Sequence, residues 1–416
     1  MTTEINEVLD RWATQSDGPV TLRLKQKLLP VEESGIIFPP TYADIGYNID
    51  TLSNGTRVAT IDSVGSQANR LEPIFKSESK NPKDWLVPQI QIVIRKEDCG
   101  ECEGCKKNAE SGESKKAKKQ ACQQPREVTR SLLDLAHRAA DAVVQSSPDL
   151  LKLIGPAFKA LQRGDAGPLC AIAPTSLVFG VWDSRGDTRE KRPRLVRSII
   201  RAWDVEVIHA AAQFNSVWKL LDEEKQKGLT DAAKKQGKDW EKRISGAGLK
   251  DAPATFRKTK VSQYVNGSPN PEARVLGGVL VKGRIEREVT VNLVALRGLR
   301  GANEDETAAI RKYLLGLSLV AATADIELFL REGCLLRYAE NGDAWYQVPR
   351  RGEPTPVALS AQMAKDYAKD TVKHFRSKWP EVFKDKWPEL KYEFNLAEAK
   401  NLLVKKTAEE EPAKAK

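Results

Sequence analysis

This sequence lacks long apolar segments and a recognisable signal peptide. No apolar run reaches the roughly 18 residues that a membrane-spanning helix requires. The best candidate, residues 314–322, is short and interrupted by glycine and serine, so it predicts a buried helix. Residues 1–10 contain three acidic side chains and lack the basic start and apolar core of a signal peptide. We therefore expect a cytoplasmic protein that makes no contact with a membrane.

Catalytic patterns are equally scarce. The chain has three histidines, His137, His209 and His374, and they are isolated from one another in the sequence. There is no P-loop, no convincing dinucleotide-binding fingerprint and no distinctive pair of carboxylates. The sequence therefore predicts no catalytic residue, although a site assembled from distant segments stays open as an alternative.

The charge balance favours one class of partner. Lys and Arg total 67 against 57 Asp and Glu, which gives a net charge of +10. A basic surface gains affinity for a polyanion because each neutralised phosphate releases bound counterions. Many soluble proteins are basic without binding nucleic acid, so charge alone does not decide the function.

Hydrophobic periodicity predicts a mixture of strands and helices. Strands are predicted at about 20–29, 36–38, 89–95, 177–182, 279–285 and 289–296, whereas residues 195–207 are apolar with interspersed arginines and could be a helix or a strand. Helices are predicted at about 128–144, 308–322 and 361–379. The helix at 308–322 has capping-box spacing at Asn303 and Glu306. The strand at 20–29 alternates apolar and basic residues, which suits an exposed strand.

Two turn signals indicate hairpins. Asn54-Gly55 tolerates positive φ angles and separates the short apolar runs 49–52 and 58–61. A second hairpin is predicted at 335–348, with its turn at 340–343. Hairpins among strands and helices indicate an α+β fold with an antiparallel sheet rather than a doubly wound parallel fold.

Four of the six cysteines lie close together, and they are Cys99, Cys102, Cys105 and Cys122. Their segment is rich in lysine and almost free of apolar residues. In a cytosolic chain such spacing points to a metal rather than to disulfides. Four thiolates could close a tetrahedral zinc site, and an iron–sulfur cluster uses a similar spacing. We expect structural zinc before an iron–sulfur cluster, and the alternative is a loop of free thiols.

A run of small and amide residues, 62–70, follows a predicted strand. Ser66, Gln67, Asn69 and Arg70 can all hydrogen-bond to phosphates or sugars, and a glycine among them permits close backbone approach. The alternative is an ordinary helix start capped by a serine, with the last two of these side chains facing water.

Arginines are concentrated between residues 185 and 201, and they include Arg185, Arg194, Arg197 and Arg201. The last two are four residues apart, so they share a face on a helix or on a strand. On a strand, Ile199 lies between them and Trp203 continues that face. An arginine ladder beside an aromatic ring suits a phosphate track with a stacking platform. The alternative is a solvated charged surface.

Several runs of the sequence taken together resemble a known family. These runs are 37–42, 62–72 (DSVGSQANRLE), 173–184, 194–205 (RLVRSIIRAWDV), 277–279, 314–317 and 333–336. They occur in order between about residues 20 and 340. They resemble the CRISPR-associated RAMP protein of the Csb group, which is the backbone subunit of type I Cascade in the subtype called I-U or I-G.

The resemblance implies a ferredoxin-like (RRM-type) palm with inserted finger and thumb elements. It implies several copies along one CRISPR RNA, together with other Cascade subunits, so that the guide bases stay free to pair with target DNA. It also implies a non-catalytic protein, and the alternative within the class is an RNA-processing endoribonuclease. The first candidates for guide contacts are Ser66, Gln67, Asn69 and Arg70, and the second are Arg185, Arg194, Arg197 and Arg201.

The domain organisation is expected to follow the same plan. Residues 1–400 form a single palm, with a Cys- and Lys-rich insertion at 96–126 and a Lys-rich insertion at 215–275. Residues 401–416 are expected to be a disordered tail. Neither insertion maps onto the palm, and the glycine-rich loop that many RAMP nucleases carry near the C-terminus is not evident.

Overall fold

Helices and strands are mixed along the chain. The computed structural model describes residues 2–42, 45–96, 126–209, 217–237, 276–379 and 391–410, with isolated positions between 240 and 269. The helices are α1 (Thr2–Thr14), α2 (Val64–Leu71), α3 (Ala142–Gln145), α4 (Pro148–Gln162), α5 (Gly167–Ile172), α6 (Pro174–Val178), α7 (Glu223–Lys234), α8 (Leu293–Arg297), α9 (Glu304–Thr323), α10 (Ala361–Lys378) and α11 (Leu396–Glu410).

The strands are mostly short. They are β1 (Thr21–Pro30), β2 (Ile36–Ile37), β3 (Ile49–Thr51), β4 (Arg57–Asp62), β5 (Gln91–Lys96), β6 (Arg126–Ser131), β7 (Val181–Trp182), β8 (Lys191–Arg192), β9 (Val196–Trp203), β10 (Val205–His209), β11 (Tyr264–Val265), β12 (Ser268–Pro269), β13 (Leu276–Val281), β14 (Ile285–Asn292), β15 (Phe329–Arg331), β16 (Cys334–Val348), β17 (Thr355–Pro356) and β18 (Lys391–Glu393). The hairpin predicted at Asn54-Gly55 is confirmed, since β3 and β4 pair antiparallel on either side of it.

An antiparallel sheet organises the fold. Its strands lie in the order β15-β16-β1-β14-β9-β4-β3, and β17 pairs with β16. Four of these strands, in chain order, are β1, β9, β14 and β16. Across the sheet they lie in the order β16-β1-β14-β9, so the fourth strand is followed by the first, the third and the second. Each is antiparallel to its neighbour, and helices follow the first and the third. This is the split β-α-β arrangement of a ferredoxin-like fold, so the predicted α+β palm is confirmed.

The sheet has one buried and one open face. Buried and partly exposed residues alternate without a break along β14, and β1 follows nearly the same pattern. Such alternation is expected when one face packs against helices and the other meets solvent. The strand predicted at 20–29 is therefore confirmed, and its basic residues lie on the open face of a strand inside the sheet.

Helix α9 forms the centre of the buried layer, as the apolar run at 314–322 predicts. The side chain of Asn303 caps its first turn by accepting a hydrogen bond from the backbone N–H of Glu306. A Cβ atom at Gly316 would lie 2.9 Å from the Cα atom of Ala368, so glycine lets α10 pack closely on α9. None of the helices in the described part of the chain could span a lipid bilayer.

The prediction of an amphipathic helix at 128–144 is wrong. The segment begins with β6, which pairs antiparallel with β5, and continues with two 3-10 turns, Leu132–Asp134 and Arg138–Ala140, before α3. Pairing with a distant strand outweighs the helical spacing of the apolar residues. Arg138 adopts a φ of 54°, a left-handed conformation that interrupts a right-handed helix.

Three further predictions differ from the structure. The strand predicted at 177–182 is reduced to β7, because α6 extends to Val178. The hairpin predicted at 335–348 is the single strand β16: both of its halves pair with β1, and the residues around Asn341 form a bulge between Tyr338 and Asp343. Helix α11 runs into the segment 401–416 for which the sequence predicts disorder.

The two predicted insertions fall largely outside the described residues. Residues 97–125, and most of 215–275, are not described. Helix α7, which belongs to the second insertion, buries none of its residues, in line with the solvated helix expected there.

Candidate nucleic-acid interface

Cations line the open face of the sheet. Because side chains alternate across a strand, the paired strands β1, β14 and β9 present one set of residues to this side. The cations on it are Arg23, Lys25, Lys27, Arg197 and Arg201. Arg284 precedes β14 and is a sixth, because it contacts Glu286 and Trp203 of the same face. The carboxylates of β14 on the same face are Glu286 and Glu288. The six cations therefore outnumber the two carboxylates, and the face is positively charged.

Arg197 and Arg201 lie on one face, as predicted, because their segment is the strand β9. Arg197 is opposite Thr290, and Arg201 is opposite Glu286 and Thr60. The first side chain is exposed and the second is half-buried. Neither makes an ion pair within the described part of the chain. Both guanidinium groups are therefore available to an anionic ligand.

Two of the other cations on this face contact the Glu286 carboxylate. Lys25 Nζ lies 4.0 Å from Glu286 Oε1, and Arg284 Nε lies 3.7 Å from Oε2 of the same carboxylate. The Arg284 guanidinium also lies 4.5 Å from the ring centre of Trp203. Such cation–π pairs fix a cation beside an aromatic surface.

A second cation–π pair lies on β1 and β16, where the Arg23 guanidinium is 5.2 Å from the ring centre of Tyr346. The β1 cations are not among the RNA contacts predicted from the sequence. The alternation of apolar and basic residues at 20–29 could have identified these cations, because it indicates a strand with its basic residues on one face.

The four candidates in 66–70 belong to α2 and point in different directions. Ser63 caps the helix by accepting a hydrogen bond from the Ser66 backbone N–H at 3.3 Å. Ser66 is half-buried and Asn69 is exposed. Gln67 is fully buried, so its side chain cannot reach a large ligand in this structure. The capped helix start, which the sequence left open as an alternative, is therefore present.

Gln67 belongs to a buried hydrogen-bond network that joins α2 to the sheet. Its amide nitrogen donates to Asp62 Oδ2 at 2.6 Å, and its amide oxygen accepts from Ser198 Oγ at 2.7 Å and from Arg287 Nε at 3.3 Å. Arg287 also donates to Gln26 Oε1 and, at 3.3 Å, to the backbone carbonyl of Ala322. Burial lowers the pKa of Arg287. The hydrogen bonds satisfy most of these buried polar groups, and only the Nη2 atom of Arg287 has no hydrogen-bond partner among them.

Arg70 connects α2 to β15. Its Nε atom lies 3.2 Å from Asp62 Oδ2, and its terminal nitrogens donate to the carbonyl oxygens of Phe329 and Leu330 at 3.2 and 3.1 Å. Its side chain is 30% exposed. Arg70 therefore has a structural role, and only part of its surface is open to a ligand.

The α2 candidates and the β9 arginines lie on opposite faces of the sheet. Gln67 contacts Ser198, which is buried on the helix side of β9, whereas Arg197 and Arg201 are on the open side. The structure therefore does not bring the two sets of predicted RNA contacts together on one surface.

The run 62–72 ends in a buried ion pair. Glu72 Oε2 lies 2.6 Å from Arg138 Nε, and both side chains are almost completely buried. Burial raises the pKa of Glu72 to about 7, although the Arg138 guanidinium and a hydrogen bond with Thr175 act in the opposite direction. The Arg138 guanidinium also lies 5.4 Å from the ring centre of Phe179. Two runs of the family resemblance, 62–72 and 173–184, are thus joined through the core.

Arg185 and Arg194 lie outside the sheet face. Both are exposed, and they lie in and just after the hairpin formed by β7 and β8. Neither is in an ion pair with another residue that the structure describes.

The cysteine site that the sequence predicts lies outside the described residues, which exclude Cys99, Cys102, Cys105 and Cys122. Among the residues described, no group of His, Cys, Asp and Glu could hold a metal ion. Cys170 and Cys334 are buried and free of disulfides. Structural zinc at the four clustered cysteines stays a prediction.

Part of the chain matches a family of known proteins. Residues 22–207 match the family described as CRISPR-associated protein GSU0053. No curated protein matches the chain. The matched segment, a little under half of the chain, is similar to this CRISPR-associated family. It contains all eight candidate RNA contacts.

Proposed function

We propose that this protein is a non-catalytic, CRISPR RNA-binding backbone subunit of a type I Cascade effector complex of subtype I-U or I-G. In this role several copies polymerise along one guide RNA. The protein contacts other Cascade subunits and presents the guide for pairing with target DNA.

The open face of the palm carries this proposal. Arg197 and Arg201 are free to bind phosphates, and the aromatic rings of Trp203 and Tyr346 lie beside cations of the same face. Phosphate contacts position a strand without reading its sequence, which suits a subunit that must accept any guide. Aromatic rings can stack with single-stranded bases.

We assign a different role to each α2 candidate. Asn69 and Ser66 stay candidates for a direct contact, because their side chains are at least partly exposed. Gln67 positions α2 through its buried hydrogen bonds, and Arg70 both holds β15 and offers a partly exposed guanidinium.

Purification with guide RNA tests the proposal. The protein is expressed with and without a CRISPR array, and the purified material is analysed for bound RNA, for mass and for cleavage of repeat RNA. We expect RNA to co-purify, the mass to rise to a multiple of the subunit only with RNA, and the RNA to stay intact.

Two outcomes would contradict the proposal. Protein that carries no RNA and stays monomeric with added guide would exclude the scaffold function. Cleavage of repeat RNA that disappears when His137, His209 or His374 is replaced by alanine would instead identify a RAMP-class endoribonuclease.

A further inference from the structure

We propose that the β7–β8 hairpin is a second nucleic-acid contact, in which an unpaired base stacks on Trp182. The inference rests on the proposed function in taking nucleic acid as its ligand. It adds a base-binding site that is separate from the open face of the sheet.

Trp182 is unusually accessible. Its side chain is 59% exposed, and no other tryptophan in the described part of the chain is as open to solvent. Its cross-strand neighbour Lys191 places Nζ 5.4 Å from the ring centre. A single ammonium group covers one face of an indole, which leaves the other face for a flat aromatic ligand. A cation next to a stacked aromatic pair also attracts the phosphate of the same nucleotide.

The hairpin holds Trp182 in place without a ligand. The Asp183 carboxylate is 2% exposed, and its Oδ2 atom accepts a hydrogen bond from Thr188 Oγ1 at 2.6 Å. The Asp183 backbone N–H donates to the Glu190 carbonyl at 2.8 Å. Gly186 packs directly against the Asp183 carboxylate, where a Cβ atom has no room. A platform that is already ordered loses little conformational entropy on binding.

A groove of about 1140 Å³ lies between this hairpin and the start of α11. Ligand pockets start at about 300 Å³, so a nucleotide fits. Leu396 and Leu403 supply an apolar wall on the side of α11. Such a wall suits the face of a base, which is poorly hydrated.

Charge selects the kind of ligand. Arg185, Arg189 and Lys400 line the groove, and Lys191 lies next to it over Trp182. Asp187 is the acidic residue of the lining, and Glu398 lines the adjoining cavity. The excess of cations favours a polyanion over an apolar protein segment, and the aromatic ring favours unpaired bases over a duplex.

Binding of labelled oligonucleotides tests this inference. Fluorescence anisotropy at one low salt concentration compares 12-nucleotide single strands of RNA and DNA with abasic strands of the same length. The proteins are wild type, Trp182→Ala, Trp182→Phe and, as a control at another exposed apolar residue, Val294→Ala. Because Trp182 is exposed, its replacement should leave the fold intact, and circular dichroism checks this.

We expect Trp182→Ala to weaken binding of base-containing strands about 5- to 150-fold, which corresponds to the loss of one stacking contact. Abasic strands should bind wild type and Trp182→Ala alike, and Trp182→Phe and Val294→Ala should resemble wild type. The RNA and DNA arms show whether the base comes from the guide or from a DNA strand.

Three results would overturn the inference, and they are distinguishable from failure of the proposed function. Equal loss on abasic strands would mean that Trp182 does not stack with bases. An unchanged affinity of Trp182→Ala for the oligonucleotides, together with loss of self-association of this variant, would mean that Trp182 contacts protein rather than a base. An unchanged affinity for Trp182→Ala, with weaker binding by Arg197→Ala/Arg201→Ala, would remove the second site and keep the proposed function. No binding by wild type would reject both.

Discussion

Replacing Gln67 with leucine should destabilise the palm without removing a direct RNA contact. The side chain is fully buried and makes three hydrogen bonds, with Asp62 at 2.6 Å, Ser198 at 2.7 Å and Arg287 at 3.3 Å. A bond with a charged partner contributes about 1.5–3 kcal/mol and a bond between neutral groups about 1 kcal/mol.

The full sum of these contributions is not lost. Arg70 stays 3.2 Å from Asp62, and Ser198 still accepts from Arg287 at 3.1 Å, so both charged groups keep a partner. We therefore expect Gln67→Leu to lower the free energy of unfolding by about 2–4 kcal/mol.

Urea denaturation followed by circular dichroism measures this change. Asn69→Ala is the matched control, because Asn69 is exposed on the same helix. It should change the free energy of unfolding by less than about 0.5 kcal/mol. A Gln67→Leu protein that is as stable as wild type and yet binds guide RNA more weakly would refute the reasoning and place Gln67 at the RNA.

Three other predictions concern the ion pairs and the cysteines. Burial raises the pKa of Glu72 from its ordinary value of 4.5 to about 7, so its contribution to stability is complete below pH 4.5 and is lost as pH rises through 7. Urea midpoints should reveal a loss of about 3 kcal/mol by pH 8, and Glu72→Gln should abolish this dependence on pH. Arg70→Ala should cost about 1–2 kcal/mol of stability, since it removes bonds to Asp62 and β15, and unchanged denaturation would show that Arg70 serves the ligand alone. Metal analysis of the purified protein should find one zinc that is lost when Cys99 and Cys102 are both replaced by serine, whereas metal-free wild type would leave a loop of free thiols.

The sheet was predictable because its signals are local. The Asn54-Gly55 turn and the alternation along 20–29 both act within a few residues, and each is found in the structure. The shared face of Arg197 and Arg201 follows from the same period of two residues along a strand.

The buried network was not predictable in the same way. Arg287 binds Gln26 and Gln67, which lie 261 and 220 residues away in the sequence. No local pattern reveals such a contact, and an arginine inside an alternating strand is normally read as exposed. For the same reason Gln67 was expected to meet RNA, although its place in the fold is internal.

The helix predicted at 128–144 shows the opposite failure. Its apolar residues repeat at helical spacing, but β5 offers a partner for the first half of the segment, and Arg138 breaks the second half with a φ of 54°. Pairing with a strand 30 to 40 positions earlier in the chain is a tertiary effect that overrides local periodicity.

The salt dependence of guide RNA binding tests the central claim most directly. Arg197→Ala/Arg201→Ala removes two cations from the open face, and Lys369→Ala/Lys373→Ala removes two exposed cations with the same spacing from α10. For single strands each phosphate contact contributes about 0.7 to the slope of log affinity against log salt. We predict that the open-face variant binds more weakly, with a slope reduced by about 1.4, while the α10 variant resembles wild type. Equal behaviour of the two variants would contradict the assignment of the guide to the open face of the sheet.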